Sequence, residues 1–470
     1  MGAEPCPLRT ATGVPCKNPP VNDAKPGKTW QVGSLTYTAG GLAVVFCWLL
    51  WGDFAWSMRD RVVPPVMQLL FKKFGASDMV SGLIFSSLPA ALGMIIGPIV
   101  SYKSDRLRTK WGRRIPFLIV PVPFMVLSMI GLAFCPWLGG RLSHLLGSWS
   151  PGLNWSVVIT MGICWTLFEV CSIATLSIYG ALINDVVPQA IIGRFYGLFR
   201  AASLIAAILL FFNLQENAET HFTWIFLGVG ALYGIGFTLM CLKVKEGEYP
   251  PAPVAPDGPG VFSAVKTYFK DGFGHPYYLW YFAATVLASL SIFPFNLYSV
   301  FYAKSIGMDM AIYWDCLGLT YIFSLVLSYP LGILADRFHP LRLSIAALAA
   351  YAVAMTCGGL LVRESSTFAV ALVVHGVLAG CLITATASLG QRLLPRDKFA
   401  EIGSAGGIIG AVSTILLAPI LGKFLDYTHH DYHYTFFASA ILTLMALGAF
   451  FVLHSRFIAL GGPRNYIAPK

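Results

Sequence analysis

The sequence predicts an all-helical membrane protein of twelve spans arranged as two six-helix halves. Three observations carry this expectation. The 470-residue chain is 56% hydrophobic and 11% charged, with a mean hydropathy of +0.69, too apolar and too poor in charge for a soluble domain. Apolar runs long enough, at about 1.5 Å per residue, to cross a hydrocarbon core of about 30 Å recur twelve times. A loop pattern in the first half, Gly97 to Pro116, has an echo at Pro330 to Arg342 in the second.

Taken in order, a polar, proline-rich segment, residues 1–37, comes first and has no apolar stretch of the signal-peptide kind, so the first span is expected to do its own targeting. The spans then fall near 38–62, 79–101, 115–138, 156–183, 193–213 and 222–242, which make a first half of residues 38–242. The stretch KVKEGEYPPAPVAPDGPG opens a linker, 243–276, that reads as extended, and VFSAVKTYFKDG within it reads as a short interfacial helix. The second half, 277–455, carries spans near 277–303, 312–335, 343–362, 366–391, 402–425 and 434–455, followed by a tail at 456–470. An even number of spans puts both termini on one side, and the Lys and Arg residues crowd the loops of that side. Both termini are therefore expected in the cytoplasm, with the protein a monomer in the cell membrane.

The net charge of +10 does not indicate nucleic acid, because the basic residues sit in loops between apolar runs and form no continuous stripe. Ten cysteines are scattered without CxxC or Cys/His spacing. No phosphate-binding glycine loop, nucleophile elbow or zinc-protease motif stands in a supporting context, so no enzyme activity, cofactor or metal is expected. The cluster His429, His430, Asp431 and His433 is read as an outer loop and not as a metal site.

The loop GPIVSYKSDRLRTKWGRRIP packs Lys103, Arg106, Arg108, Lys110, Arg113 and Arg114 between two apolar segments. Asp105 follows Ser101 by four residues and precedes Arg106, and a turn of Gly112, Arg113 and Arg114 opens the next span. The second-half echo keeps Gly332, Asp336 and Arg337. This arrangement resembles the signature loop between helices 2 and 3 of the major facilitator superfamily. Within it, GPIVSYKSDRLRTKWGRRIPFLIV is similar to the sucrose and melibiose symporters of the glycoside-pentoside-hexuronide family. The resemblance implies alternating access, a cation-coupled sugar substrate, and a gating role for the loop; Ser101 departs from it, standing where the superfamily loop has Gly.

Inside the spans the informative residues are the charged ones, since a carboxylate at mid-membrane costs about 3 kcal/mol or more. Glu169 lies in an otherwise apolar fourth span and reads as a proton or cation site, with Trp165, one turn before it, expected to bind substrate. Plant sucrose symporters carry an acidic residue twelve positions before an Ala-Leu pair in this helix, and Glu169 precedes Ala181-Leu182 by that interval. Glu in place of Asp leaves the coupling ion open between H⁺ and Na⁺. Arg200, seven residues into the fifth span, is the expected partner of Glu169, with snorkelling to the surface the alternative. In the first span Asp53, Trp56 and Asp60 share one helical face, and an aromatic ring beside carboxylates suits a sugar or a cation. Asn296 follows Pro294 in the seventh span and, with Tyr298 and Tyr302, is expected to line the pathway from the second half. His375 and Gln391 are further candidates of that kind. The same features would serve an exporter of organic compounds, and a non-transporting sensor or scaffold remains a third reading.

In a cysteine-free background, single cysteines at Lys17, Trp111, Pro256 and Arg464 should be modified from the cytoplasmic side and those at Arg141, Glu219 and Arg363 from outside. Labelling of residues 103–114 from outside would reverse the topology.

Overall fold

The computed structural model describes residues 29–76, 80, 81, 83–213, 218–249, 268, 270 and 272–469. The first 28 residues, Pro256 and nearly all of the expected interfacial helix lie outside the described residues. A short antiparallel hairpin, β1 (Trp30–Val32) and β2 (Leu35–Tyr37), occupies the end of what the sequence reads as a plain tail, and it turns at Gly33 with φ of 57°. Thr38 then accepts from the Gly41 N–H at 3.2 Å and caps the first helix.

The helices of the first half are α1 (Ala39–Lys73), α2 (Leu88–Arg106), α3 (Ile115–Ala133), α4 (Leu153–Val186), α5 (Ile192–Asn213) and α6 (Ala218–Lys243). Those of the second are α7 (Pro276–Ser305), α8 (Met310–Phe338), α9 (Pro340–Leu361), α10 (Ser365–Ala387), α11 (Phe399–Tyr427) and α12 (Tyr434–Ala459). Among the described residues eleven segments are long and apolar enough to span a membrane. The twelfth, α2, is entered through a π-helical turn at Leu83–Ser87 and occupies the second expected span. The twelve helices form the two-halved fold that the sequence predicts.

Two spans differ from expectation. Helix α1 does not stop near residue 62 but runs through Pro64 and Pro65 to Lys73, because Val62, Val63, Val66, Met67, Leu70 and Phe71 continue an apolar face that the first half buries. The third span ends at Ala133, and after Phe134 the chain restarts as a separate helix, Cys135–Leu146, with Pro136 in its first turn. That helix packs on α4, and Gly139 makes the approach close: a Cβ there would lie 2.6 Å from Val157 Cα.

Each half has its own hydrophobic core, one built from residues of α1–α6 and the other from α7–α12. Most contacts between the halves are made by α2 with α11 and by α5 with α8, the two pairs exchanged by the internal repeat, with smaller ones of α4 with α11 and α5 with α10. The α5–α8 crossing is tight because a Cβ on Gly197 would sit 2.6 Å from the Ser328 carbonyl oxygen and one on Gly332 would sit 3.0 Å from Arg194 Cα. The first and last described segments of the chain meet the same end of the helices, here called the basic end: the Glu248 N–H reaches Ser34 Oγ at 2.7 Å, and Tyr466 Oη donates to the Leu393 carbonyl at 2.6 Å.

Replacing Gly139 by Val should destabilise the first half by about 1–3 kcal/mol through overpacking. Gly140→Val, whose Cβ position has Leu153 Cδ1 3.9 Å away, should have a much smaller effect. Thermal unfolding in detergent checks the pair.

Candidate functional site

At the basic end the predicted loop forms an ion-pair knot whose acidic members come from far along the chain. Arg113 holds Asp185 with two hydrogen bonds, at 2.9 Å from Nε and 2.7 Å from Nη2. Arg114, fully buried, pairs with Asp105 at 2.5 Å and with Asp185 at 3.0 Å. The Glu246 carboxylate accepts from the backbone N–H groups of Arg113, Arg114 and Ile115 at 2.8–3.0 Å and so caps the start of α3. Tyr249 Oη donates to Glu246 at 2.7 Å and lies 3.2 Å from Asp185, under the Arg113 guanidinium. Burial and the Asp185 and Glu246 charges together raise the Tyr249 phenol well above its usual range.

The same knot ties the halves together, and the tie is repeated. Asp105, at the end of α2, accepts from the Glu401 N–H in the first turn of α11 at 3.0 Å, while Arg106 pairs with the Glu401 side chain at 3.0 Å. Arg113 also reaches the Arg396 carbonyl at 3.1 Å. In the repeat, Asp336 at the end of α8 accepts from the Gly193 and Arg194 N–H groups at the start of α5, at 2.7 and 3.0 Å, and pairs with Arg392 at 2.7 Å. Each aspartate thus caps a helix of the opposite half. Gln189 and Gln391 add a further link, and Gln391 Nε2 donates to Tyr196 Oη. Of the motif residues, Ser101 is buried without a hydrogen-bond partner, Gly112 takes φ of 101°, and Arg337 stands apart: it is exposed over the Phe338 ring, and Arg392 supplies the charge that the echo assigned to Arg337.

Deeper in the first half the charges form two groups. Arg59, fully buried on α1, lies over the rings of Trp56, Phe168 and Tyr233 at 4.9, 5.0 and 5.3 Å and donates to Met125 Sδ at 3.7 Å. Glu169, half-buried on α4 next to Phe168, is acted on by Arg59 and by Asp60, not by Arg200. The predicted Glu169–Arg200 pair is absent from this state because Arg200 points away, toward the second half. Its Nη2 lies 3.2 Å from where a Cβ on Gly380 would be, and it shares the space with Ser324. The second group contains Asp53, fully buried with neither oxygen hydrogen-bonded, and Arg61, which donates to Ser203 Oγ on α5 at 3.1 Å. Trp165 does not face a pathway: it is buried in the apolar core, stacked on Phe168, and its indole N–H is spent on the Ile84 carbonyl at 3.1 Å.

The second half contributes no charge of this kind, but it joins two predicted residues in one chain of hydrogen bonds. His375 Nε2 meets the exposed Asn296 Oδ1 at 2.9 Å, and His375 Nδ1 meets Tyr351 Oη at 2.9 Å. On the same side of α7, Thr285, Ser289 and Phe293 face Gly407 and Thr414 of α11 across a groove of about 430 Å³. Tyr298 is half-buried and stacked on Tyr432. Tyr302 leaves the candidate pathway, since it is buried and bonded to His433 Nδ1 at 3.2 Å, a tie between α7 and the loop before α12. His433 in turn bonds the Gly359 carbonyl.

Asp185, Glu246, Glu401 and Arg392 are the residues that sequence reasoning passed over. One signal pointed to the first three: six basic residues in one loop need acids from elsewhere if the loop is to be buried.

Twelve helices in two repeated halves, joined at one end by matched ion-pair ties and charged within, define a membrane transporter. Residues 52–394 match the family described as MFS/sugar transport protein, and the chain belongs to that family. It is similar to the sucrose transport protein SUT1 of rice, Oryza sativa, 23% identical over 274 residues that cover 52% of this chain and 49% of that protein. It is also similar to the proton-associated sugar transporter A of mouse, Mus musculus, 26% identical over 150 residues, 31% of this chain and 19% of that protein. The match thus spans about half or less of the length of these relatives. A bacterial homologue of the iron transporter ferroportin, solved in an outward-facing state, shares the fold at 17% identity and a TM-score of 0.66, over 87% of this chain and 99% of that one.

Asp185→Asn strips both arginines of their shared carboxylate, a loss of about 3–5 kcal/mol for a buried pair. A cysteine replacing the fully buried Ser328 at the α5–α8 crossing should then be alkylated faster than in the Asp185 background. An unchanged rate would mean that the knot does not hold this end shut.

Proposed function

We propose that the protein is a cation-coupled sugar symporter of the cell membrane that works by alternating access, with H⁺ as the coupling ion and a disaccharide or glycoside as substrate. The observation that carries this reading is the interior charge count of the first half: Asp53, Asp60 and Glu169 against Arg59, Arg61 and Arg200. When all six are ionised the set is neutral, which suits a neutral polyol. A single proton on one carboxylate changes the sum by one, which is what coupling to a proton gradient needs. The Asn296–His375–Tyr351 chain offers the donors and acceptors that sugar hydroxyls require, beside aromatic rings for their C–H faces. The names of the rice and mouse relatives supply the sugar class and the proton. With the basic end in the cytoplasm, the closed ion-pair ties correspond to an outward-facing state, and their breakage to the inward-facing one.

The test is uptake of radiolabelled sucrose, maltose and melibiose into proteoliposomes under an imposed pH gradient. Accumulation above equilibrium that collapses with a protonophore is expected for at least one of them. Substrate leaving against its gradient as protons enter would make the protein an exporter. No flux of any sugar, including in counterflow, would reject the assignment. His375→Ala should raise KM for the transported sugar about tenfold, the worth of one or two hydrogen bonds of about 1 kcal/mol each.

A further inference from the structure

Among the described residues of the spans, Asp53 is the carboxylate cut off from water with neither oxygen hydrogen-bonded. It is fully buried, and neither oxygen has a hydrogen-bond partner in the protein. A carboxylate in that condition at bilayer depth is far less costly as the neutral acid. Glu169 differs in burial: it is half-buried, its oxygens are not among the buried atoms left without a hydrogen bond, and Arg59, whose Nη2 lies 4.0 Å from Asp60 Oδ1, acts on it. A partly solvated carboxylate pays less for its charge than a fully buried one.

The helices around Asp53 supply a means of releasing the proton. Helices α1 and α5 pack together and run in the same direction away from the basic end. Asp53 is level with Tyr196, which feels its charge, and Arg61, two turns on, is level with Ser203, to which it is bonded. Arg200 stands between Tyr196 and Ser203, one turn from the first and less than one from the second, on the α5 face turned to α1. Yet its guanidinium is seated against Gly380 and Ser324 of the second half, where only a residue without a side chain at 380 admits it, and its Nε has no partner. Ser57, one turn on along α1, and Tyr179 on α4, whose hydroxyl is spent on the Leu49 carbonyl, also face Asp53, and Cys241 on α6 lies beside Tyr179. Arg61 acts on both Asp53 and Arg200, so two guanidiniums and one carboxyl share this layer.

We infer that Asp53, and not Glu169, holds the coupling proton in this state, and that Arg200 displaces it when the two halves part at the basic end. This rests on the symport reading above. Separation of α5 from α8 and α10 removes the Gly380 seat, and the freed guanidinium turns to Asp53. The carboxylic acid then gives its proton to water entering from the basic end and becomes a carboxylate paired with Arg200. Closing that end pulls Arg200 back and lets Asp53 take a proton again.

The test needs no substrate, so it fails independently of the sugar assignment. The reconstituted protein is examined by infrared spectroscopy as an acid-minus-alkaline difference, in which a buried carboxylic acid shows a C=O stretch that titrates. The band is expected in the wild type, absent in Asp53→Asn, retained in Glu169→Gln, and persistent to more alkaline pH in Arg200→Gln. Should Asp53→Asn fail to fold, Asp53→Glu keeps the acid and must shift the band's frequency. A band that survives Asp53→Asn, fails to move in Asp53→Glu, or disappears in Glu169→Gln overturns the inference.

Discussion

Everything in this molecule is conditioned by the cost of placing charge where water is scarce. The buried charges among the described residues gather at the basic end and in the interior of the first half, and the two sets are treated differently. At the basic end each buried charge is matched within 3 Å or so, as in the Arg113, Arg114, Asp105 and Asp185 knot. A matched, buried knot of this kind is rigid while intact and strongly disfavoured when half broken, so it favours two discrete arrangements over a continuum. The interior charges are left incompletely satisfied, with Asp53, Arg59 and Arg200 all carrying unpartnered polar atoms. Groups in that condition respond to small movements of their neighbours.

The division of labour between the halves follows from this. The first half holds the buried interior carboxylates and guanidiniums on which the proposed coupling rests, while the second half offers an amide, an imidazole and hydroxyls, which suit hydrogen bonding to an uncharged ligand. Separate hydrophobic cores let each half move as a body. The two capped helix starts, Asp105 on α11 and Asp336 on α5, put the same latch on both sides of the pseudo-twofold axis, so both must open together.

How much of this the sequence disclosed depends on the distance between the parts. The twelve spans and the repeat were legible because hydropathy and a short motif are local signals. Asp105 and Asp336 were legible as matched carboxylates at the ends of repeated helices, but their partners were not: Glu401 lies nearly 300 residues from Asp105, and no spacing rule connects them. Arg337 was misread because the echo matched residue types, whereas helix geometry turns its side chain outward and lets Arg392 take its place. Trp165 and Tyr302 look like pathway aromatics in a string of letters, yet a buried ring with its polar atom already bonded packs the core. The Glu169–Arg200 pairing assumed that neighbouring helices place like depths together. Rotation of α5 toward the second half gave Arg200 a different neighbour.

The central claim is that sugar and proton cross together in the same direction. It is tested most directly by adding a transported disaccharide to lightly buffered, de-energised cells that express the protein and following the external pH. Symport predicts an immediate alkalinisation that scales with sugar uptake. Uptake without any pH change, or with acidification, would contradict it.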